Sequence, residues 1–324
     1  MTGTIGTDSN LDHENHASVL LNVQAMSGDP PSYGHSQVNI AIQDVNDNAP
    51  EFDSASVRIS VPENVELGTA IYAAHARDAD SGENGEVRYS LPVNPGGVFR
   101  VDPKGGQLTL ARALDFETAQ RYSLVVQASD RGKEKQMSAN LSVVVEVQDA
   151  NDNPPTFERS EYTVHVPESL PANSQVVQVS ATDRDTGNNA RLTYRLLASS
   201  DPSAASLFGI FPNSGAVYLR EQLDRETQDR YVLRVLATDN GSPAGTATAS
   251  VIVVVLDSND NAPQFAQESY EFTVRENLEA GAPVGTIAAT DRDLDNNASL
   301  RYSLIPANNS FQINPVTGEY SCSH

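Results

Sequence analysis

The sequence predicts an all-β protein: tandem immunoglobulin-like Greek-key sandwiches of about seven strands each, arranged end to end. Three observations carry this. Five short motifs recur in fixed order with a period a little over 100 residues. The segments between them alternate apolar and polar with a period of two. No stretch sustains the 3.6-residue pattern of a long helix.

The most conspicuous motif is "DVNDNAPEF" at Asp44–Phe52, repeated as "DANDNPPTF" from Asp149 and "DSNDNAPQF" from Asp257. Its copies, marked by Asp47, Asp152 and Asp260, stand 105 and 108 residues apart. "VPEN" at Val61, "VPES" at Val166 and "VREN" at Val274 keep that spacing, as do "RDAD" at Arg77 and "TDRD" at Thr182 and Thr290. "LDHE" at Leu11, "LDFE" at Leu114 and "LDRE" at Leu223 form a fourth series, and "ASDRG" at Ala128 and "ATDNG" at Ala237 a fifth. A repeated period must be read before anything else, because each repeat is one structural unit.

The strands follow. "VRISV" from Val57, "YTVHV" from Tyr162 and "YEFTV" from Tyr270 place apolar residues two apart, as do "YSLVVQA" from Tyr122 and "YVLRVLA" from Tyr231. "LSVVVEV" from Leu141 and "ASVIVVVL" from Ala249 read as apolar strands. Gly, Pro, Asn and Asp fill the gaps as turns. The expected organisation is the C-terminal half of a repeat over 1–52, complete repeats over 53–157 and 158–265, and the N-terminal half of a repeat over 266–324. "TGTIGT" at Thr2 and "TGEYSCSH" at Thr317 both match the region just before an "LD.E" motif, so the chain reads as cut within a repeat at each end. An odd number of antiparallel strands starts at one pole and finishes at the other, so short links would string such sandwiches into a rod.

Composition narrows the function. A net charge of −22 argues against nucleic acid, whose phosphates need a basic partner, and against an anionic membrane surface. It suits cations. The single Cys, Cys322, permits no intrachain disulfide. No signal peptide is visible at Met1, and the longest apolar run, "VIVVVL" from Val251, is too short to span a bilayer. No nucleophile elbow or phosphate loop appears. The acids recur in every repeat, whereas an active site is built once, so an enzyme is not expected.

Recurring carboxylates need a reason to be tolerated, since two of them about 4 Å apart repel by roughly 1 kcal/mol even in water. Loops at one pole of a sandwich lie near one another, so the "LD.E" and "RDAD" loops are expected to face the "D.NDN" linker from opposite repeats. Such oxygen-rich clusters suit Ca²⁺, which takes six to eight oxygen ligands. Unpaired Cys and scattered His argue against zinc, and Mg²⁺ fits a dense carboxylate cage less well.

The order "PEN", "DAD" or "DRD", "LDRE", "DRG" or "DNG", "DVNDNAPEF" resembles the extracellular repeat of the cadherin superfamily over essentially the whole chain. The pattern is most like the interior of a long non-classical cadherin of the Fat, Dachsous, flamingo or protocadherin kind. The resemblance implies seven-stranded sandwiches whose linkers each bind about three Ca²⁺. It further implies calcium-dependent cell–cell adhesion by the extracellular part of a plasma-membrane protein anchored outside this sequence. The implied partner is another cadherin ectodomain on a neighbouring cell, homophilic or heterophilic.

Carried over motif by motif, the resemblance implies three ligand sets. The first is Asp12, Glu14, Asp44, Asn46, Asp47, Asn48, Asp78, Asp80, Asn84 and Asp130. The middle is Glu63, Asp115, Glu117, Asp149, Asn151, Asp152 and Asn153, with Asp183, Asp185, Asn189 and Asp239. The third is Glu168, Asp224, Glu226, Asp257, Asn259, Asp260 and Asn261, with Asp291, Asp293 and Asn297. "AMSG" at Ala25 departs from "ASDRG", with Ser27 in place of the aspartate, which weakens any junction preceding the first set. Ser169 in "VPES" stands where Asn is usual.

A passive calcium-stiffened spacer is the alternative function, and a bacterial calcium-dependent adhesin with similar repeats is a further one. The sequons at Asn140, Asn240, Asn297 and Asn308 favour an animal glycoprotein, with Asn140 and Asn308 the better acceptors because Asn297 is engaged in a ligand set. His13, His16 and His35 are expected in exposed loops with no role. Neither half repeat closes a core alone, so limited proteolysis should trim residues 1–50 and 268–324 before it cuts the middle; cleavage starting within 60–260 would contradict this.

Overall fold

The computed structural model describes residues 3–198 and 202–323; Thr2 of "TGTIGT" and His324 of "TGEYSCSH" lie outside them. The backbone divides into two compact units, Met1–Asp152 and Asn153–His324.

The first unit opens with β1 (Ser18–Ser27) and β2 (Ser32–Ala41), an antiparallel hairpin. A lone hairpin has no second layer to cover it, and Leu20 and Met26 are 59% and 66% exposed. A complete sandwich follows: β3 (Glu51–Phe52), β4 (Ser56–Pro62), β5 (Ala70–Ala73), β6 (Ala76–Arg77), β7 (Arg88–Val93), β8 (Phe99–Val101), β9 (Gln107–Leu110), β10 (Arg121–Ser129) and β11 (Ser138–Gln148). One sheet runs β4-β11-β10-β7, the other β5-β9-β8, and β3 pairs with β6. The period of two in the sequence becomes alternating burial: Leu141, Val143, Val145 and Val147 of β11 and Leu124, Val126 and Ala128 of β10 face the core. Phe99 and Tyr122 close it edge to face, with ring centroids 5.5 Å apart.

The second unit repeats this plan with β12 (Thr156–Phe157), β13 (Glu161–Pro167), β14 (Gln175–Gln178), β15 (Ala181–Thr182), β16 (Thr193–Leu196), a short helix α1 (Pro202–Leu207), β17 (Phe208–Ile210), β18 (Ala216–Leu219), β19 (Arg230–Thr238) and β20 (Thr246–Leu256). Its sheets run β13-β20-β19-β16 and β14-β18-β17. Beyond lie β21 (Gln264–Phe265), β22 (Pro283–Thr286), β23 (Ala289–Thr290), β24 (Phe311–Ile313) and β25 (Glu319–Cys322).

Three expectations change. The first strand of each complete repeat pairs with the last in parallel: β4 with β11, and β13 with β20. An odd strand count sends the first and last strands in the same direction, so where they meet edge to edge the ladder is parallel. "YEFTV" from Tyr270 forms no strand, nor does "RYSL" from Arg301. Their counterparts in the complete repeats pair with β20 and β19. Among the described residues no strand pairs with either segment, and an extended segment without a ladder has nothing to hold its backbone groups. His35 sits within β2 rather than in a loop, and His13 is half-buried.

One device recurs three times. The Tyr89, Tyr194 and Tyr302 hydroxyls accept backbone N–H bonds from Ala76, Ala181 and Ala289 at 2.8, 3.0 and 3.0 Å, fixing the strand that precedes each "DRD" loop. Each ring is met by a left-handed glycine, Gly106, Gly215 or Gly318. A Cβ on Gly106 (φ +67°) would fall 2.2 Å from the Ala74 carbonyl oxygen. Gly106→Ala should therefore cost about 1–3 kcal/mol in urea unfolding; an unchanged midpoint would refute the constraint.

Candidate metal centres

Backbone hydrogen bonds build the acid sets. Glu63, at the end of β4, is 4% exposed and its two oxygens are both taken: Oε2 accepts the Phe116 N–H at 2.6 Å and Oε1 the Ala150 N–H at 2.7 Å. Glu168, fully buried at the end of β13, does the same with the N–H groups of Arg225 (2.8 Å) and Ser258 (2.7 Å). One carboxylate thus pins the "LD.E" loop and the start of the linker together. Within each "LD.E" loop the aspartate caps its own turn. Asp115 and Asp224 accept Thr118 and Thr227 hydroxyls at 2.7 Å, and Asp12 accepts the Asn15 backbone N–H at 3.0 Å and its side-chain amide at 2.6 Å. These bonds hold all three carboxyls below the usual aspartate range.

In the first set the linker amides reach across to acids far away in sequence. The side-chain amide of Asn46 donates to Asp130 at 3.0 Å, that of Asn48 to Asp80 at 2.6 Å, and that of Asn84 to Asp44 at 2.8 Å. Asp78 Oδ1 accepts the Asp80 N–H at 3.0 Å. One carboxylate oxygen each from Glu14, Asp47 and Asp80 lie within 4.8 Å of one another. The third set repeats this with new partners: Asn261 donates to Asp293 and Asn297 to Asp257, both at 2.8 Å, and Asp291 accepts the Asp293 N–H at 3.0 Å. Glu168, Glu226 and Asp257 form one cluster on the same criterion, and Glu226, Asp260 and Asp293 a second. Asn259 is exposed.

The middle set is described in its two halves. In the first unit, carboxylate oxygens of Glu63, Glu117 and Asp152 converge within 4.8 Å, and Asp149 and Asn151 are half-buried. In the second, Asn153 donates to Asp185 at 2.7 Å and Asp183 accepts the Asp185 N–H at 3.0 Å. Asn189 is half-buried, and the buried Asp239 accepts the N–H groups of Gly241 and Gly245 at 2.9 and 2.8 Å. Asp130 holds the equivalent place with Gly132 and Met137, each at 2.9 Å.

The electrostatics are those of a site short of positive charge. Burial pushes the Asp78 and Asp183 carboxyls above their ordinary 3.8; the Asp80 and Asp185 N–H groups oppose this, and neighbouring carboxylates add to it. Burial also raises Glu117, with Glu63 and Asp152 nearby. Glu14 is pulled down by its own backbone N–H, but burial and hydrogen bonds shared with Asp44 and Asp12 outweigh this and leave it raised. Several oxygens are buried with no hydrogen-bond partner: Asn46 Oδ1, Asp78 Oδ2, Glu117 Oε1, Asp183 Oδ2 and Asp293 Oδ2. Orphaned buried acceptors are rare and costly. Among the described residues every cluster consists of carboxylates alone, a donor set that fits a hard cation such as Ca²⁺ and not zinc.

Sequence reasoning missed two elements. Asn15, Thr118 and Thr227 hold the "LD.E" aspartates, and their constant place one residue after the glutamate was the available signal. Arg225, the variable position of that motif, enters the third set: its Nε donates to Asp257 at 2.6 Å.

An acid whose pKa is raised on folding destabilises the folded state while ionised, and the cost is relieved as pH falls through the folded pKa towards 3.8. In calcium-free buffer at pH 7, Asp78→Asn should raise the melting temperature, since the amide oxygen can still accept the Asp80 N–H. A lower melting temperature than wild type would show that the charge is already compensated.

The cadherin domain model matches residues 57–148, 162–256 and 270–323. Protein dachsous of Drosophila melanogaster is 55% identical over 99% of this chain, and Protocadherin Fat 4 of Mus musculus is 39% identical over 98%. The chain spans 9% and 6% of the length of those two relatives. Among solved structures, domains EC22-24 of mouse Cadherin-23 superpose with a TM-score of 0.77 at 33% identity, covering 86% of this chain and 89% of that one. Extracellular cadherin domains 1-5 of Protocadherin Gamma B2 give 0.80 at 28% identity, covering 97% and 61%. The tandem all-β repeats, the five motif series and these matches agree: the chain belongs to the cadherin family, in the range of the large non-classical members, and is not an enzyme.

Proposed function

We propose that this chain is a calcium-stiffened stretch of a cell–cell adhesion ectodomain. The carrying observation is the set of buried carboxylate and amide oxygens that lack any partner, among them Asp78 Oδ2, Glu117 Oε1 and Asp293 Oδ2. Calcium would supply the missing positive charge and accept these oxygens as ligands. The first and third sets are the main candidates. The residues of the middle set are assigned by equivalence, each with its counterpart in the other two, except that Glu63 matches only Glu168 and Asp239 only Asp130. The number of ions per linker is taken as about three, on the family resemblance alone.

On this reading, residues 53–157 and 158–265 are complete repeats whose linkers flex when the acids repel and stiffen when they share an ion. The protein's own residues do most of the preparation. Glu63 and Glu168 hold two ligand-bearing segments in place, and Asp130 and Asp239 fix the loops beside the linker. The partner is another cadherin ectodomain on an adjoining cell, and the location is the extracellular face of a membrane-anchored protein. No helix among the described residues is long and apolar enough to cross a membrane. Asn140 at the start of β11 and Asn308 are exposed and are the glycan acceptors on this reading, while Asn297 is tied to Asp257. A passive spacer has no observation of its own in its favour.

Extracellular calcium modules bind with Kd of about 10⁻⁴–10⁻³ M. At 10 mM calcium each site would then stabilise the fold by about 1.4–2.7 kcal/mol. The melting temperature should rise by at least about 5 °C over that in EGTA, with a saturable calorimetric heat. A melting temperature indifferent to calcium, with no such heat, would sink the proposal.

A further inference from the structure

We propose that Arg225 is a resident cation of the third acid set, which sets the calcium response of that linker apart from the first; this rests on the calcium reading above. Arg225 occupies the middle of "LDRE". Its backbone N–H is committed to Glu168. Its side chain does not run out to solvent but folds back, with only 11% of it exposed. Nε donates to Asp257 Oδ1 at 2.6 Å, while Nη2 contacts Glu226 Oε1 and donates to the Arg292 carbonyl at 3.0 Å. Two of the three acids in the Glu168, Glu226 and Asp257 cluster therefore already face a guanidinium, and their side chains are only 10% and 15% exposed.

The same position is filled differently in the other two motifs. His13 Nδ1 donates to the Ile42 carbonyl at 2.8 Å and Nε2 is hydrogen-bonded to Ser81 Oγ at 3.1 Å; among the described residues it makes no hydrogen bond to a carboxylate of its set. There Glu14 shares hydrogen bonds with Asp44 and Asp12 instead. Phe116 packs on the hydrophobic core of its own repeat. His13 exerts only an electrostatic pull on Asp44; among the described residues, the third motif alone places an always-charged guanidinium in hydrogen-bond contact with its acids.

Two consequences follow from one contact. Without calcium, the guanidinium offsets carboxylate repulsion, so the loop at 224–229 and the linker at 257–261 stay ordered. With calcium, the ion must share Asp257 and Glu226 with a group of like charge that holds one oxygen of each. The third set should therefore bind calcium more weakly, and gain less order from it, than it would with a neutral residue at 225. Arg suits this role because it stays charged at any physiological pH and its planar fork spans two carboxylates.

The test is hydrogen exchange of the full chain across a calcium titration, read by mass spectrometry on peptides covering 224–229 and 257–261, with 12–16 and 44–48 as internal reference. Arg225→Phe borrows the residue of the second motif, and Arg225→Gln is a smaller neutral change in case the first perturbs folding. Both should speed exchange at the third set in EGTA and lower its calcium midpoint about tenfold, the scale of one hydrogen bond to a charged group. The reference peptides should not move. An unchanged midpoint and unchanged EGTA exchange at the third set, with normal calcium protection elsewhere, would overturn the role of Arg225 and leave the calcium reading intact. Absence of calcium-dependent protection at every set in the wild type would overturn the calcium reading and this inference with it.

Discussion

The middle and third acid sets hang on a buried glutamate with both oxygens committed to main-chain N–H groups. Glu63 and Glu168 carry their charge out of water, which is expensive unless the charge is hydrogen-bonded. Two charge-assisted bonds to each carboxylate supply that compensation. The same bonds decide geometry. Because Glu63 reaches both Phe116 and Ala150, the "LD.E" loop and the linker must lie side by side, although 34 residues separate those two positions in the chain. The placement of Glu117 and Asp152 follows from it, and no ion is needed to explain it.

The acids themselves divide into two kinds. Asp130 and Asp239 are buried and spend their oxygens on turn N–H groups, so they organise loops. Asp78, Asp183 and Glu117 are raised by burial among like charges and each leaves one oxygen orphaned. The first kind stabilises the sandwich. The second costs stability, and such local violations of folding rules are concentrated where proteins bind something. The two kinds sit within a few residues of each other in the same motifs, which is why a stable β-sandwich can carry a destabilising cluster at its pole.

Much of this was legible in the sequence. Period-two alternation located β4, β10, β11, β13, β19 and β20, because strands covered on one face record their burial in every second residue. The motif register brought Glu14, Asp47 and Asp80, and likewise Glu226, Asp260 and Asp293, into single sets. What failed has a physical cause. "YEFTV" carries a strand's pattern, yet pattern reports only which face would be buried; the ladder comes from a partner that the pattern does not contain. Arg225 was overlooked for a related reason. A variable position between two fixed acids reads as solvent-facing, and only the fold shows the side chain turned inward. The threonines after the "LD.E" glutamates were visible but unremarkable, since Thr near a turn has many uses.

The parallel pairing of β4 with β11 has a mechanical meaning. The chain enters the repeat at the start of β4 and leaves at the end of β11, so tension applied through the neighbouring segments pulls these two strands in opposite directions along their common ladder. The contacts from Ser56 opposite Ser142 to Pro62 opposite Gln148 are then loaded together in shear. They cannot be peeled apart one at a time, as a hairpin such as β1–β2 can. A sheet edge that looks like a topological by-product of an odd strand count thus gives the repeat resistance to a pull applied at its two ends.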